Sequence, residues 1–161
     1  MKIDTAGKDF IYKHEGVRLK AYLDVAKVPT IGVGMTYYPA TGKNVKLGEV
    51  ISLEQCDSMF ATMVASYETA VTKAAKVSLT KNQFNALVSF TYNVGIGNAA
   101  KGFLGSTLLK RINTKAPEAD IRAAFAMWKK SGGKVIPDLV KRRKDEADLY
   151  FKSISNEDNN H

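Results

Sequence analysis

Three polar side chains in the segment YKHEGVRLKAYLDVAKVPTIGVG (residues 12–34) could carry out acid–base chemistry. Glu15 precedes a glycine, Asp24 lies nine residues later, and Thr30 lies six residues after that. Two carboxyl groups in different environments beside a polar groove are what cleavage of a glycosidic bond needs. One carboxyl donates a proton to the leaving oxygen, and the other activates water or attacks the sugar. Because sequence spacing gives no distance between the carboxyls, it leaves inverting and retaining reactions both open.

The elements around these residues place them at ends and turns. Apolar residues at helical spacing predict a helix over residues 3–15, capped by Asp4 or Thr5 and ended by Gly16. Glu15 would then lie at the helix C-terminus, where the helix dipole favours the protonated carboxyl. An exposed glutamate at a helix end is the plainer alternative. Asp24 falls in a turn, where aspartate also serves simply to bind backbone amides.

The stretch TIGVGMT, residues 30–36, has the alternation of a strand. It predicts Ile31, Val33 and Met35 on an apolar face and places Thr30, Gly32, Gly34 and Thr36 on the other. Glycine within a strand marks a place where a ligand can approach the backbone closely, so Gly32 and Gly34 are candidate substrate contacts. A twisted or bulged strand is the alternative interpretation.

The rest of the chain is predicted to be helical. Strand-like composition is confined to about residues 19–48, with a turn at 39–44 and a short strand at 45–47. SLEQ and TKNQ have capping-box spacing and open helices at residues 52 and 80. Further helices are expected from residue 106, from Pro117 and from Pro137, with SGGK as a break. A small sheet and many helices indicate an α+β fold, with the site in a cleft between a sheet lobe and a helical lobe.

Composition limits the function classes. The chain has 161 residues and a net charge of +8, which favours an anionic partner such as nucleic acid, a cell envelope or a membrane surface. Its single cysteine, Cys56, excludes an internal disulfide and is expected in the core. His14 and His161 have no ligand spacing for zinc. No apolar run is long enough for a membrane span, and the N-terminus lacks the apolar stretch of a signal peptide.

The segment HEGVRLKAYLDVAKVPTIGVG resembles the active-site segment of the phage lysozyme family, the endolysins of glycoside hydrolase family 24. That family has a glutamate in EG-x-x-L-x-A-Y, an aspartate nine residues on, and a threonine in TIG-x-G. Glu15, Asp24 and Thr30 match these positions with both spacings kept. The resemblance extends to LTKNQFNALVSFTYNVG, STLLKRIN and GGKVIPDLVKRRKDEADLY, and so covers about residues 8–152.

The resemblance implies a lysozyme-like muramidase. It would hydrolyse the β-1,4 bond between N-acetylmuramic acid and N-acetylglucosamine in bacterial peptidoglycan, with inversion expected by analogy. Glu15 would be the general acid, Asp24 would activate water or stabilise charge, and Thr30 would assist with the water. Asn93 in TYNVG could bind a sugar N-acetyl group, with a helix C-cap as the alternative. Arg142 or Arg143 could pair with Glu15, or with the acids of the last helix.

The family also implies an organisation and a biological setting. The expectation is one catalytic domain over residues 1–161, with a sheet lobe at about 16–60, a helical lobe at about 61–153 together with the first helix, and a frayed tail at 154–161. A monomer is expected, with no metal, cofactor, nucleic acid or stable membrane association. The enzyme would be made in the host cytoplasm and reach the periplasmic wall through a holin, so that the lysed host releases phage.

Some positions depart from the common family pattern. Lys27 and Pro29 replace a frequent glycine and aromatic residue, Met35 replaces a histidine, and Asp138 replaces a glycine. These changes bear on the groove and its preferred glycan. A lytic transglycosylase or an inactive wall-binding relative are the remaining alternatives within this fold. A nucleic-acid binder is disfavoured because the basic residues are scattered and no nucleic-acid motif is present.

Overall fold

The computed structural model describes residues 1–153, so the tail expected at 154–161 lies outside the described residues. The chain divides into two compact units. A sheet unit comprises Asp9–Ser66, and a helical unit comprises Met1–Lys8 together with the chain from Tyr67 onwards. The division runs through two helices, α1 (Thr5–Glu15) and α2 (Leu53–Ala74).

The residues that begin and end α1 are defined by hydrogen bonds at each terminus. At its start the Asp4 carboxylate accepts a hydrogen bond from the Gly7 amide at 2.9 Å, which makes Asp4 the cap. At its end the Gly16 amide donates to the Tyr12 carbonyl at 2.8 Å, and Gly16 has a φ of 77°. Glycine adopts this left-handed conformation without penalty, so the helix stops one residue after Glu15.

The sheet unit contains an irregular antiparallel pair. Strand β1 (Arg18–Leu23) pairs with β2 (Pro29–Gly32), with Arg18 opposite Gly32 and Tyr22 opposite Thr30. Four steps along β1 thus face two steps along β2, which defines a bulge in β1. The bulged residues bond instead to the segment 49–51, where the Ile51 amide donates to the Leu19 carbonyl at 2.8 Å.

The predicted long strand through Met35 is wrong. β2 ends at Gly32, and Ile31 and Met35 bond to each other across a tight turn with N···O distances of 2.8 and 2.9 Å. Positive φ at Gly32 and Gly34 makes this reversal possible. The strand predicted at residues 45–47 is also absent, and the pairing next to it is an isolated bridge between Tyr37 and Asn44.

The core of the sheet unit forms between the sheet and the first turns of α2. Ser52 and Gln55 exchange side-chain to backbone hydrogen bonds at 2.8 and 3.0 Å, which confirms the predicted capping box. The expectation that Cys56 is a core residue is confirmed, since it is fully buried. The other fully or nearly fully buried apolar side chains of this unit include Ile11, Ile31, Val33, Met35, Val45 and Phe60.

The helical unit packs α3 (Lys81–Val94) against α6 (Pro137–Tyr150), with α4 (Thr107–Asn113) and α5 (Glu118–Ala126) alongside. Thr80 and Ser106 cap α3 and α4. Phe90 lies at the centre of an aromatic core that includes Phe103, Phe125 and Trp128. Trp128 packs edge-on against Phe90 at 5.7 Å between ring centroids, although it is only half-buried.

A second hairpin corrects the prediction that strands are confined to residues 19–48. Strands β3 (Lys130–Ser131) and β4 (Lys134–Val135) pair antiparallel across Gly132 and Gly133. Both glycines have positive φ, 57° and 80°, as a two-residue hairpin turn requires. The Gly-Gly pair was therefore a turn signal, and the short strands beside it are exposed and carry no apolar alternation.

Candidate active site

Glu15 lies at the end of α1 beside the turn that follows β2. Its side chain is half-buried, and a Cβ atom placed on Gly34 would lie 3.3 Å from Glu15 Oε2. Gly34 also has a φ of 71°. The backbone at residue 34 therefore approaches the carboxyl closely, and a larger side chain there would meet both backbone strain and crowding.

The last turn of α1 is anchored by a residue that the sequence did not single out. The Tyr12 hydroxyl donates a hydrogen bond to Asp57 Oδ1 at 2.6 Å, and its ring packs edge-on against Phe60 at 5.0 Å between centroids. Burial, together with the Asp57 hydrogen bond and the neighbouring Cys56, raises the pKa of Tyr12 well above its ordinary value. Tyr12 therefore keeps its proton and continues to donate, which holds the helix turn before Glu15 against α2.

Asp24 organises the turn between β1 and β2. Its Oδ1 atom accepts hydrogen bonds from the Ala26 amide at 2.8 Å and the Val28 amide at 2.9 Å. Its own amide donates to the Val28 carbonyl at 3.0 Å. Among residues 1–153 no hydrogen bond to Oδ2 is found, so one carboxylate oxygen holds the turn and the other remains available to a ligand.

Lys27 in the same turn has an unusual backbone conformation. Its φ is 61°, in the left-handed region, and its amide donates to the Asp24 carbonyl at 2.9 Å. A residue with a Cβ atom pays a steric cost in that region, whereas glycine does not. Glycine, which is frequent at this position in the family, therefore suits the turn. Lys27 adopts the same turn with a steric penalty from its Cβ atom.

Thr30 is buried, and its hydroxyl has a defined direction. Oγ1 donates a hydrogen bond to the Val28 carbonyl at 2.9 Å. Since the hydroxyl proton is committed, the oxygen can only accept from any further partner. The peptide groups of Val28 thus link Asp24 on one side to Thr30 on the other.

The register of the sheet brings the two ends of β1 closer together. Four residues of extended chain from Arg18 to Tyr22 would span about 13 Å, but their partners Gly32 and Thr30 lie only about 7 Å apart along β2. Glu15 precedes the first end of β1 and Asp24 follows the other. The bulge therefore reduces the separation along the sheet between the two ends that carry the candidate carboxyls.

Gly32 is favoured by its left-handed backbone conformation and by close packing around it. A Cβ atom at residue 32 would lie 3.3 Å from Cys56 Sγ, 3.4 Å from Met35 Sδ and 3.7 Å from Ile51 Cδ1. The residue is buried with a φ of 65°. These contacts account for the glycine without a ligand, and its predicted contact with substrate stays a prediction.

Asn93 lies in the helical unit, exposed, near the end of α3. The C-cap of that helix is Gly95, so the alternative of Asn93 as a C-cap is wrong. Its Oδ1 atom accepts a hydrogen bond from Arg143 at 2.9 Å. Because arginine only donates, this contact fixes the orientation of the amide and leaves the NH₂ group of Asn93 for another acceptor.

Arg143, which binds Asn93, also belongs to a buried ion cluster. Glu146 is fully buried and lies 2.7 Å from Arg143 Nε and 3.3 Å from Arg142 Nε. The Ser89 hydroxyl also donates to Glu146 at 2.6 Å. The predicted alternative that Arg142 pairs with an acid of the last helix is confirmed for Glu146, and its pairing with Glu15 stays a prediction.

Residues 1–153 contain no group of three or more histidine, cysteine, aspartate or glutamate side chains that could hold a metal ion. Within that same range, no helix combines the length and the apolar character needed to cross a membrane.

The chain was compared with known proteins. Residues 12–146 match the family model described as phage lysozyme. The endolysin of Bacillus phage PZA is 41% identical over 150 residues, covering 93% of this chain and 55% of the relative. The endolysin of Salmonella phage P22 is 36% identical over 152 residues, covering 94% and 99%. The structure of the endolysin from Escherichia coli O157:H7 phage FAHEc1 superimposes with a TM-score of 0.85 at 39% identity, covering 96% of each chain.

These matches agree on the fold and differ in length. The chain spans a little over half of the Bacillus phage relative but nearly the whole of the Salmonella phage relative. The structural match confirms the predicted lysozyme-like α+β fold. The family model covers most of the chain, including Glu15, Asp24 and Thr30. The chain belongs to the phage lysozyme family.

Proposed function

We propose that this protein is a peptidoglycan hydrolase, an endolysin that cleaves the β-1,4 bond between N-acetylmuramic acid and N-acetylglucosamine. The observation that carries the proposal is the arrangement around Val28. It leaves Asp24 Oδ2 available and commits the Thr30 hydroxyl proton, so two residues that are joined through the Val28 backbone each offer an acceptor. Family membership supports the same reaction class.

Two acceptors suit the activation of one water molecule. The water would donate one hydrogen to Asp24 Oδ2 and the other to Thr30 Oγ1, which turns its lone pair outward towards the anomeric carbon. As the new carbon–oxygen bond forms, Asp24 would take the proton from the water. Glu15 would give its proton to the leaving oxygen as the glycosidic bond breaks. Attack by water in a single displacement inverts the anomeric configuration.

Other residues are proposed to bind the substrate. Gly34 is proposed to contact the sugar, because a residue without a side chain leaves Glu15 uncrowded at that point. Gly32 is proposed as a weaker contact through its backbone. The NH₂ group of Asn93, oriented by Arg143, would donate to the carbonyl of an N-acetyl group. Arg142 is proposed to pair with Glu15. The reaction needs no metal or cofactor.

The proposed setting is lysis of a bacterial host for phage release. A monomer would be made in the host cytoplasm and act on the periplasmic wall after a holin permeabilises the membrane. Peptidoglycan carries carboxylates, so the net charge of +8 favours its binding. The proposal includes no nucleic-acid partner and no stable association with the membrane.

Product analysis tests the reaction. Purified peptidoglycan should yield reducing muramic acid ends by mass spectrometry, with the inverted anomer detected by NMR immediately after cleavage. Anhydro-muramic ends would instead identify a lytic transglycosylase, a retained anomer would remove the water-activating role of Asp24, and absence of products would identify an inactive relative.

The role of Glu15 is tested by a variant. Glu15→Gln keeps the shape of the side chain but cannot donate the proton, so clearing of permeabilised Gram-negative cells should fall by about 10²–10⁴. Glu54→Gln, on the exposed start of α2, is the matched control and should clear at the wild-type rate. Near-normal clearing by Glu15→Gln would refute the assignment.

A further inference from the structure

A concave surface lies in the sheet unit, lined by none of Glu15, Asp24 and Thr30. It is a pocket of about 790 Å³ between the segment 38–46 and the start of α2. That volume is within the range that bound small molecules and short peptides occupy. Its apolar wall consists of Tyr38, Pro39, Ala40, Ile51 and Met59.

Two acceptor side chains of this pocket already form hydrogen bonds within the protein. Glu49 accepts hydrogen bonds from the Lys46 amide and from the Tyr38 hydroxyl, and burial together with the Glu49 contact raises the pKa of Tyr38. Gln55 Oε1 accepts from the Ser52 amide at 2.8 Å. Glu49 Oε1 and Gln55 Oε1 are therefore each engaged within the protein.

The pocket also carries positive charge and further donors. Lys43 and Lys46 are both exposed at the pocket, and neither forms an ion pair with any residue in the described range 1–153. The side-chain oxygen of Gln55 accepts from Ser52, which leaves the Gln55 NH₂ group as a donor. The side-chain amide of Asn44 adds another donor. An apolar wall with donors and two positive charges at its edge complements a ligand with carboxylates and small apolar groups.

We propose that this pocket binds the short acidic peptides that peptidoglycan carries on its muramic acid residues. Such peptides alternate small alanine side chains with free carboxylates, which match the apolar wall and the two lysines. Ile51 lines the pocket and also packs against Gly32, which places the peptide site next to the β2 hairpin. The inference rests on the proposed function for the choice of ligand.

Peptide binding is tested by NMR titration with the free tetrapeptide L-Ala-γ-D-Glu-meso-diaminopimelate-D-Ala. The Glu15→Gln protein serves as host, so that binding is measured without hydrolysis. Exposed lysine–carboxylate pairs are weak, so a dissociation constant of about 1–10 mM is expected. Amide shifts should concentrate in residues 38–46 and 51–59, and a peptide with amidated carboxyls should bind at least about fivefold more weakly.

A matched pair of double variants separates a defined site from general charge. Lys43→Ala with Lys46→Ala should weaken peptide binding by about fivefold or more. Lys73→Ala with Lys110→Ala removes the same charge from exposed helix positions and should leave binding within about twofold. Equal losses in both variants, or no shifts in the pocket at about 20 mM peptide, would overturn the proposal.

Kinetics give a second readout. On glycan strands freed of peptides by an amidase, KM of the wild-type protein should rise by about threefold to tenfold with kcat unchanged. The Lys43→Ala, Lys46→Ala variant should have the same KM on intact peptidoglycan as on peptide-free glycan strands. If its KM differs between these two substrates as much as that of the wild type, the result would count against the site. Normal peptide binding without any cleavage would refute the proposed hydrolase and leave the peptide site standing.

Discussion

Replacing Asp24 by asparagine and by alanine separates its two roles. One oxygen holds the turn through hydrogen bonds from the Ala26 and Val28 amides, and the other is the proposed base. Asparagine can keep the first role, since its amide oxygen can accept both hydrogen bonds, but it lacks the charge needed for the second. Alanine removes both roles.

The magnitudes follow from this division. Two hydrogen bonds contribute about 1 kcal/mol each, so Asp24→Ala should lower the free energy of unfolding by about 2 kcal/mol. For a chain of 161 residues this corresponds to a fall in Tm of about 6 °C. Asp24→Asn should unfold within about 2 °C of the wild type. Both variants should lose about 10²–10⁴ in kcat, because neither can take a proton from water.

Two assays on the same preparations decide the matter. Thermal unfolding followed by circular dichroism gives Tm, and the fall in turbidity of purified cell walls gives the rate. Asp9→Asn and Asp9→Ala, on exposed positions of α1, control for the loss of a carboxylate and should change neither value. Wild-type activity in Asp24→Asn would refute the base, and equal Tm values for the two Asp24 variants would refute the turn-holding role.

Three further predictions concern the same hairpin. Thr30→Ser should retain most activity because it keeps the acceptor oxygen, whereas Thr30→Val should lose about tenfold or more in kcat at similar KM; equal rates in cell-wall turbidity assays would remove Thr30 from the mechanism. Gly34→Ala should lower both stability, by about 1–2 kcal/mol, and activity, because the φ of 71° is strained for alanine and the new methyl meets Glu15; denaturant titration and turbidity measure the two effects, and wild-type values would contradict the close approach. Lys27→Gly should raise Tm by about 1–3 °C through relief of strain, with unchanged activity, whereas Lys20→Gly within β1 should lower Tm; a fall in Tm for Lys27→Gly would show that the turn is not strained.

Sequence patterns predicted the features that depend on local chemistry. The capping boxes at Ser52 and Thr80 formed as expected, because each needs only side chains and amides within one turn. The turn role of Asp24 and the end of α1 at Gly16 are local in the same sense. The motif of Glu15, Asp24 and Thr30 identified the family, which the comparisons confirm.

The sequence did not predict a local reversal that depends on glycine conformation, nor contacts between distant segments. Alternation in TIGVGMT suggested one long strand, but positive φ at Gly32 and Gly34 reverses the chain. The bulge in β1 arises because residues 19–21 bond to the segment 49–51, and no local pattern shows that partner. The hydrogen bond from Tyr12 to Asp57 joins residues 45 positions apart in sequence, so no local pattern predicted it either.

The backbone of Val28 limits which residues can occupy position 28 and how the turn can move. Its amide and carbonyl are bonded to Asp24 and Thr30, while its side chain is exposed. The amide belongs to the peptide group before the Val28 Cα and the carbonyl to the one after it, so a movement of residue 28 would act on the carboxylate and on the hydroxyl together. Position 28 can therefore accept many side chains but not proline, whose missing amide proton would release the carboxylate.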